Sequence, residues 1–396
     1  MQTKKILVAA LMMGVCGISL SEQMPVLFTD EILPPKERLG AAMFFDAQLS
    51  SPAGQSCASC HDANHAFTDP DKFTPTSEGA IAGRFAARNS PTAMYAAFSP
   101  HFHFDEAEGL YLGGQFLDGR AATLEEQAKL PLLNPLEMNN PDTASVVEKI
   151  RAASYAEQFR QVYGPASLDD VDTAYEKIVE AIASFERRPT FNRFTSKYDA
   201  YLAGKAQLAP NELRGLRAFE NESKGNCAAC HSSRPSPDGT PPLFTDFSYD
   251  NLGIARNPKN RFYSQATKFN PEGSAFIDRG LGTFTGLASE DGKFKVPTLR
   301  NITRTAPYMH NGYFNSLHAV VDFYNTRDTK PACKNKMTDE AKALAQGCWP
   351  AAEVIETVNH GELGNLGLSA REVDDIVAFL DTLSDGWKPA RLSHDR

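Results

Sequence analysis

Apolar residues in this chain recur three and four positions apart far more often than they alternate, which predicts helices and few strands. Leu39, Ala42, Met43 and Phe44 give Glu31–Phe45 one apolar face, and Leu213, Leu216 and Phe219 do the same for Ala209–Phe219, with Asn211 available as a cap. Between these, Thr123–Leu130 reads as a helix stopped by Pro131, followed by longer helices at Ala144–Tyr155 and Asp169–Phe185. Ser196–Gly204 reads as a passage into a second half. Ser369 caps a final helix running to Leu383, with Val373, Ile376, Val377, Phe379 and Leu380 apolar. Ser232–Lys295 is instead rich in Gly, Pro and Asn; loops this long usually carry function or wrap a cofactor. The expected fold class is mainly α, with long connecting loops.

The N-terminus changes the compartment. Lys4 and Lys5 precede an apolar run from Ile6 to Leu20, then Ser21 and Glu22, the layout of a secretory signal at residues 1–21. The run is too short for a confident membrane span, so no integral membrane segment is expected in the mature chain. The roughly 375 residues left exceed one ordinary core and suggest two domains, 22–190 and 191–396. A net charge of −9 argues against a nucleic-acid partner.

The chemistry lies in two copies of one pattern, Cys57-Ala58-Ser59-Cys60-His61 and Cys227-Ala228-Ala229-Cys230-His231. Cys-x-x-Cys-His is the attachment site of a c-type haem: two thiols join the porphyrin and the adjacent histidine ligates the iron. A zinc site would need a further ligand pair near each copy, and a thioredoxin-type pair would stand singly in a βαβ context. Two covalent haems are expected, each following an amphipathic helix in a loose internal duplication. Haem attachment outside the cytoplasm agrees with export, placing the chain in the periplasm. Cys333 and Cys348 remain, and in an oxidising compartment they are expected to pair. Each iron's sixth ligand decides between electron transfer and peroxide binding, and the motifs do not reveal it.

The runs Leu39-Gly40, Phe44-Phe45-Asp46, Arg88-Asn89-Ser90-Pro91-Thr92, Phe116-Leu117-Asp118-Gly119-Arg120, Glu137-Met138-Asn139, Val296-Pro297-Thr298-Leu299-Arg300-Asn301 and Ala306-Pro307-Tyr308-Met309-His310-Asn311-Gly312 resemble the bacterial di-haem cytochrome c peroxidase / MauG family, in order and over nearly the whole mature chain. The resemblance implies two cytochrome c-like haem domains. The N-terminal haem, with His61 as proximal ligand, would be peroxidatic; the C-terminal haem, on His231, would relay electrons. It implies Glu137 as the distal acid, with Gln127 and Pro131 on the same side and Gln127 within bonding reach of Glu137. It also implies a calcium ion between the haems, held by Asn89 and by carbonyls of Thr305 and Pro307.

Three departures from the family pattern matter. Many members cap the first iron with a histidine that must leave on activation, but Asp71–Arg88 contains none, and His65 lies too early. The second haem's distal ligand is Met in the peroxidases; the matching place here is Tyr324, with Met309 the competing ligand and Tyr308 and Tyr313 behind it. Leu117 stands where the family keeps a relay tryptophan, and Tyr111 is the nearby oxidisable residue. An insertion before it, Ser99–Glu108, brings His101, His103 and Asp105, candidates for a metal or for a cover over the distal pocket. The resulting expectation is an enzyme that reduces hydrogen peroxide at the His61 haem. Its electrons would come through the His231 haem from a small periplasmic donor protein, or from side chains of a protein substrate. The alternative is a non-catalytic di-haem electron-transfer cytochrome.

Overall fold

The computed structural model describes residues 33–389, so the signal segment 1–21 lies outside the described residues. The fold is mainly helical: α1 (Pro35–Phe44), α2 (Cys57–Cys60), α3 (Leu124–Leu133), α4 (Thr143–Ala152), α5 (Ala156–Tyr163), α6 (Val171–Glu186), α7 (Lys197–Leu202), α8 (Pro210–Glu220), α9 (Leu281–Thr285), α10 (Leu317–Thr326), α11 (Glu340–Gln346) and α12 (Ala370–Asp381). Strands are confined, among the described residues, to two antiparallel pairs: β1 (His103–Asp105) with β2 (Leu110–Leu112), and β3 (Tyr249–Asp250) with β4 (Phe294–Lys295).

The duplication read from the sequence is built into the packing. α1 and α8 each begin on a proline, which suits the first helical turn because its missing N–H has no partner there anyway. Each precedes a Cys-x-x-Cys-His motif and crosses one long helix, α1 against α6 and α8 against α12. Both crossings need a glycine. A Cβ on Gly40 would stand 1.9 Å from the Ala181 carbonyl, and one on Gly215 would stand 1.8 Å from the Asp375 carbonyl. With no room for a methyl group, Gly215→Ala should destabilise the protein by about 1–3 kcal/mol or more. Urea unfolding followed by circular dichroism checks this against Gly361→Ala, whose Cβ would meet nothing closer than 3.7 Å.

The buried apolar residues form two clusters. One runs from Leu33 to Phe191 with Leu243 added, and the other from Tyr198 to Leu383. Arg300 ties them together. Its side chain is fully buried, it bonds both oxygens of Asp199 at 2.8 and 3.0 Å, and it lies 5.0 and 4.5 Å from the rings of Tyr95 and Phe194. Asp385 closes the same seam by accepting from Tyr95 and Asn301 at 2.7 and 2.8 Å. Cys333 and Cys348 are bonded across a separation of 15 residues, as expected; a loop of that size is worth about 3 kcal/mol in the chain-entropy account.

Local details differ from the sequence reading. α3 continues through Pro131 to Leu133, because the proline falls in the last turn, where the Asn134 N–H still closes onto Leu130 at 3.0 Å. Asn211 lies inside the first turn of α8; the capping group is Glu212, whose carboxylate accepts from the Ala209 N–H at 2.6 Å. Ala144–Tyr155 ends early, at Ala152. The chain bends there to bury Tyr155, which donates to Asp46 at 2.6 Å, and then enters α5.

Candidate functional site

Cys57 and Cys60 stand at the two ends of the single turn α2, both unpaired, with His61 directly after. The His61 Nδ1 is 2.9 Å from the Phe67 carbonyl, so that nitrogen donates and Nε2 is left as the ligating lone pair. Burial holds the imidazole below its ordinary range, hence neutral, as a ligand must be. The second motif repeats this arrangement: His231 Nδ1 is 2.8 Å from the Phe244 carbonyl, and burial again keeps the ring neutral. Burial pushes all four motif thiols up to about 12. These are apolar surroundings suited to thiols that end as thioethers rather than as thiolate ligands.

Glu137 lies within electrostatic reach of both Cys57 and Cys60. Burial raises its carboxyl above the usual range, opposed by Arg120 and by a 2.7 Å bond from Asn134 Nδ2 to Oε1. That bond comes from Asn134, not from Gln127, which reaches no such contact. Pro131 helps shape the turn, since its carbonyl accepts from the Met138 N–H at 3.2 Å. Arg120 is held by Asp118 and lies 3.6 Å over the Phe116 ring. The segment 76–88, which lacks histidine, is laid directly on this turn. The Ala80 N–H donates to the Glu137 carbonyl at 2.7 Å, and Arg84 donates to Asn139 at 2.8 Å. Asn260 and Gln265 of the other half hold the segment from outside, through the Ala87 and Gly83 carbonyls. His65 pairs with Asp62 at 2.9 Å.

Around His231 a large apolar cavity opens, and one face of α10 lines it with Leu317, Val320, Val321 and Tyr324. Cys227, Cys230 and His231 line the same cavity. Among the described residues no side chain or backbone group bonds the Tyr324 hydroxyl, and burial pushes that phenol well above its ordinary range. Tyr308 and Met309 also reach the cavity, Met309 with a left-handed backbone (φ 74°). Tyr313 does not; its hydroxyl donates to the Thr338 carbonyl at 2.8 Å.

Where the cavity extends toward the first half, Asn89, Thr305 and Pro307 come together, with Asn89 Nδ2 donating to the Pro307 carbonyl at 2.7 Å. Leu117 lies on the same wall. Next to it is a lysine that sequence reasoning missed. Lys295 donates its backbone N–H to the Leu117 carbonyl at 2.8 Å, and its Nζ bonds the Gly114 carbonyl and lies 3.4 Å from Ser99 Oγ. Burial pushes this amine down to about 7. His310 was missed too: it stacks on Phe294 at 3.8 Å, its Nε2 has no partner, and burial pushes it down to about 4. Arg88 bonds both Asp278 oxygens at 2.7 Å and, against the effect of burial, holds that carboxyl down at about 2. Neither Lys295 nor His310 had a spacing signal; only the fold shows that they face a cavity. The inserted histidines form no metal cluster among the described residues, and His103 Nδ1 instead bonds the His101 carbonyl at 2.8 Å.

The donor sets fit covalent haem. Each motif offers two free thiols and one oriented imidazole, and the second cavity adds apolar walls, the buried Lys295 amine, and a phenol that no described residue bonds. No helix among the described residues is long and apolar enough to cross a membrane.

Comparison with known proteins agrees. Residues 34–207 match the family model of di-haem cytochrome c peroxidase. The methylamine utilization protein MauG of Paracoccus denitrificans is 38% identical over 381 residues, covering 93% of this chain and 95% of that protein. Cytochrome c551 peroxidase of Nitrosomonas europaea is 33% identical over 287 residues, 72% of this chain and 71% of the relative. Among solved structures, the diheme peroxidase BthA from Burkholderia thailandensis superposes with a TM-score of 0.74 at 32% identity, covering 90% of this chain and 87% of that one.

Proposed function

The chain belongs to the di-haem cytochrome c peroxidase family, and on that premise we propose that hydrogen peroxide is reduced on the His61 side while electrons arrive through the His231 side. It is a haem oxidoreductase of the peroxidase or MauG-like type, and its relatives lend no support to a plain electron carrier. The observation that carries the division of labour is the unequal company of two otherwise matching motifs: a carboxyl, Glu137, beside the first, and a phenol, Tyr324, in the cavity of the second.

Bound haem would supply the iron at which peroxide is reduced and a path for electrons between the two halves. The protein supplies proton management. Reducing H₂O₂ to two waters consumes two electrons and two protons. A carboxylate near peroxide takes the proton from the inner oxygen and returns it to the outer one as the O–O bond breaks. Glu137, anchored by Asn134, performs this transfer. Gln127 and Pro131 shape that side, and Tyr324 would be the second protein ligand to the haem iron held by His231, since both line one cavity. We assign the haems to two domains, 22–190 and 191–396, a division the two apolar clusters support apart from Phe191 and Leu243, which pack with the first. Calcium would be held by Asn89 and the carbonyls of Thr305 and Pro307, oxygen donors of the kind it prefers. Export to the periplasm follows from residues 1–21 and the haem motifs. The electron source is a protein, either a small donor or a substrate whose side chains are oxidised.

Electron paramagnetic resonance of the diferric holoprotein tests this directly. One high-spin and one low-spin signal are expected, with a spectral response to peroxide that needs no prior reduction. Two low-spin signals, or a requirement for an added electron, would overturn the reading that no side chain caps the first iron.

A further inference from the structure

We propose that Tyr111 is a surface outlet for oxidising equivalents, connected to the cavity wall between the two halves by the rings of Tyr249 and Phe102. The inference rests on the peroxide-reducing function above.

The route begins at β4. Tyr249 is paired across the strands with Lys295, which lines the cavity and bonds the Leu117 carbonyl. Tyr249 is buried, and its hydroxyl donates to the Gly113 carbonyl at 2.5 Å. The loop Leu117–Gly119 lies directly against it. A Cβ on Gly119 would stand 2.4 Å from the Tyr249 hydroxyl and 2.7 Å from the Phe102 ring, and this residue also has a left-handed backbone (φ +74°). Glycine is therefore required for the loop to touch both rings. From Tyr249 the Phe102 ring is 6.1 Å away, centroid to centroid, and Tyr111 stacks on Phe102 at 5.2 Å with only 6° between the planes. Phe104, about half exposed and paired with Tyr111 across the strands, lies edge-on to its ring at 5.0 Å. Four aromatic rings thus run from the cavity wall to the surface through the hairpin of β1 and β2.

The two tyrosines differ in what they can do. Losing an electron makes a phenol strongly acidic, so a stable radical needs somewhere for the proton to go. The Tyr249 hydroxyl faces a backbone carbonyl, which is a poor base, and Asp118 beside it is already bound by Arg88 and Arg120. Tyr249 therefore serves as a bridge. No protein group among the described residues bonds the Tyr111 hydroxyl, and this half-buried residue sits on an exposed hairpin where water can take its proton. Tyr111 gives one electron inward, to the protein oxidised by peroxide, and one proton to water. An external phenol or indole side chain of a protein substrate then returns one electron and one proton to the tyrosyl radical.

The test adds peroxide to the diferric holoprotein with a nitroso spin trap present, followed by mass spectrometry of the peptides. A trap adduct on the Tyr111 peptide is expected. It should vanish in Tyr111→Phe, move to the indole in Tyr111→Trp, and fall severalfold in Phe102→Leu, all with an unchanged rate of the haem spectral response. Adducts only elsewhere, or a full yield at Tyr111 in Phe102→Leu, would overturn the outlet while leaving peroxide reduction standing. Failure of the haem spectrum to respond to peroxide would overturn both.

Discussion

Replacing Glu137 with Gln slows the peroxide-driven oxidation of the diferric protein by about 10²-fold or more at neutral pH, the usual contribution of a positioned general acid–base group. The substitution keeps the side chain's size and its contact with Asn134, so the loss reports proton transfer and not packing. The pH dependence gives a second readout. Burial raises the Glu137 pKa above its ordinary value of 4.5, opposed by Arg120 and Asn134. The carboxylate is the form that accepts the inner proton of peroxide. The wild-type rate should therefore fall on acidification through a pKa above 4.5, and Glu137→Gln should lack that limb. Asn134→Leu removes the bond that favours the charged form, so its acid limb should move further up in pH. Stopped-flow spectra across a pH series check all three. An unchanged rate in Glu137→Gln would remove Glu137 from the reaction.

The pre-set position of segment 76–88 supports the same expectation. A capping segment that must move would be loosely held. Here Ala80 bonds the Glu137 carbonyl, and a Cβ on Gly79 would stand 2.3 Å from the Leu136 carbonyl, so the segment is fitted closely onto the turn bearing the acid. Residues 260–265 of the other half close over it. Peroxide chemistry without prior reduction is the outcome expected of a site already in this arrangement.

What was legible in the sequence divides along physical lines. Helices with a continuous apolar face were visible, because helical burial repeats every three to four residues; α6 and α12 lie within two residues of their expected limits. The Cys-x-x-Cys-His residues were visible because two thiols and an imidazole stand at fixed spacing on one short turn. α5 and α11 were missed because both are short, at eight and seven residues, so that each repeats its pattern over only about two turns. Asn134 was missed as the partner of Glu137 because an Asn in a turn most often bonds its own backbone, as this one also does through the Leu136 N–H. Lys295, Tyr249 and Phe102 were invisible for a different reason. They are isolated residues whose meaning comes from a strand register and a ring stack across more than a hundred residues.

Tyr324→Phe is expected to replace the low-spin electron paramagnetic resonance signal of the diferric protein with one of different g values. The helix α10 turns Leu317, Val320, Val321 and Tyr324 into the cavity together, so removing one oxygen leaves the packing of that face intact. What changes is the donor. A phenolate is hard and anionic and favours ferric over ferrous iron. Its loss should raise the midpoint potential of the second haem by ~59 mV or more, the one-electron equivalent of tenfold in affinity. Met309 reaches the same cavity and provides the internal comparison. If Met309→Leu moves the low-spin signal and Tyr324→Phe does not, the ligand is the thioether and the second haem is built to hold an electron as ferrous iron. If only Tyr324→Phe moves it, the second haem is built to stay oxidised. Oxidising equivalents from peroxide are then shared between the two centres and handed to a protein partner, as a MauG-like oxidation requires.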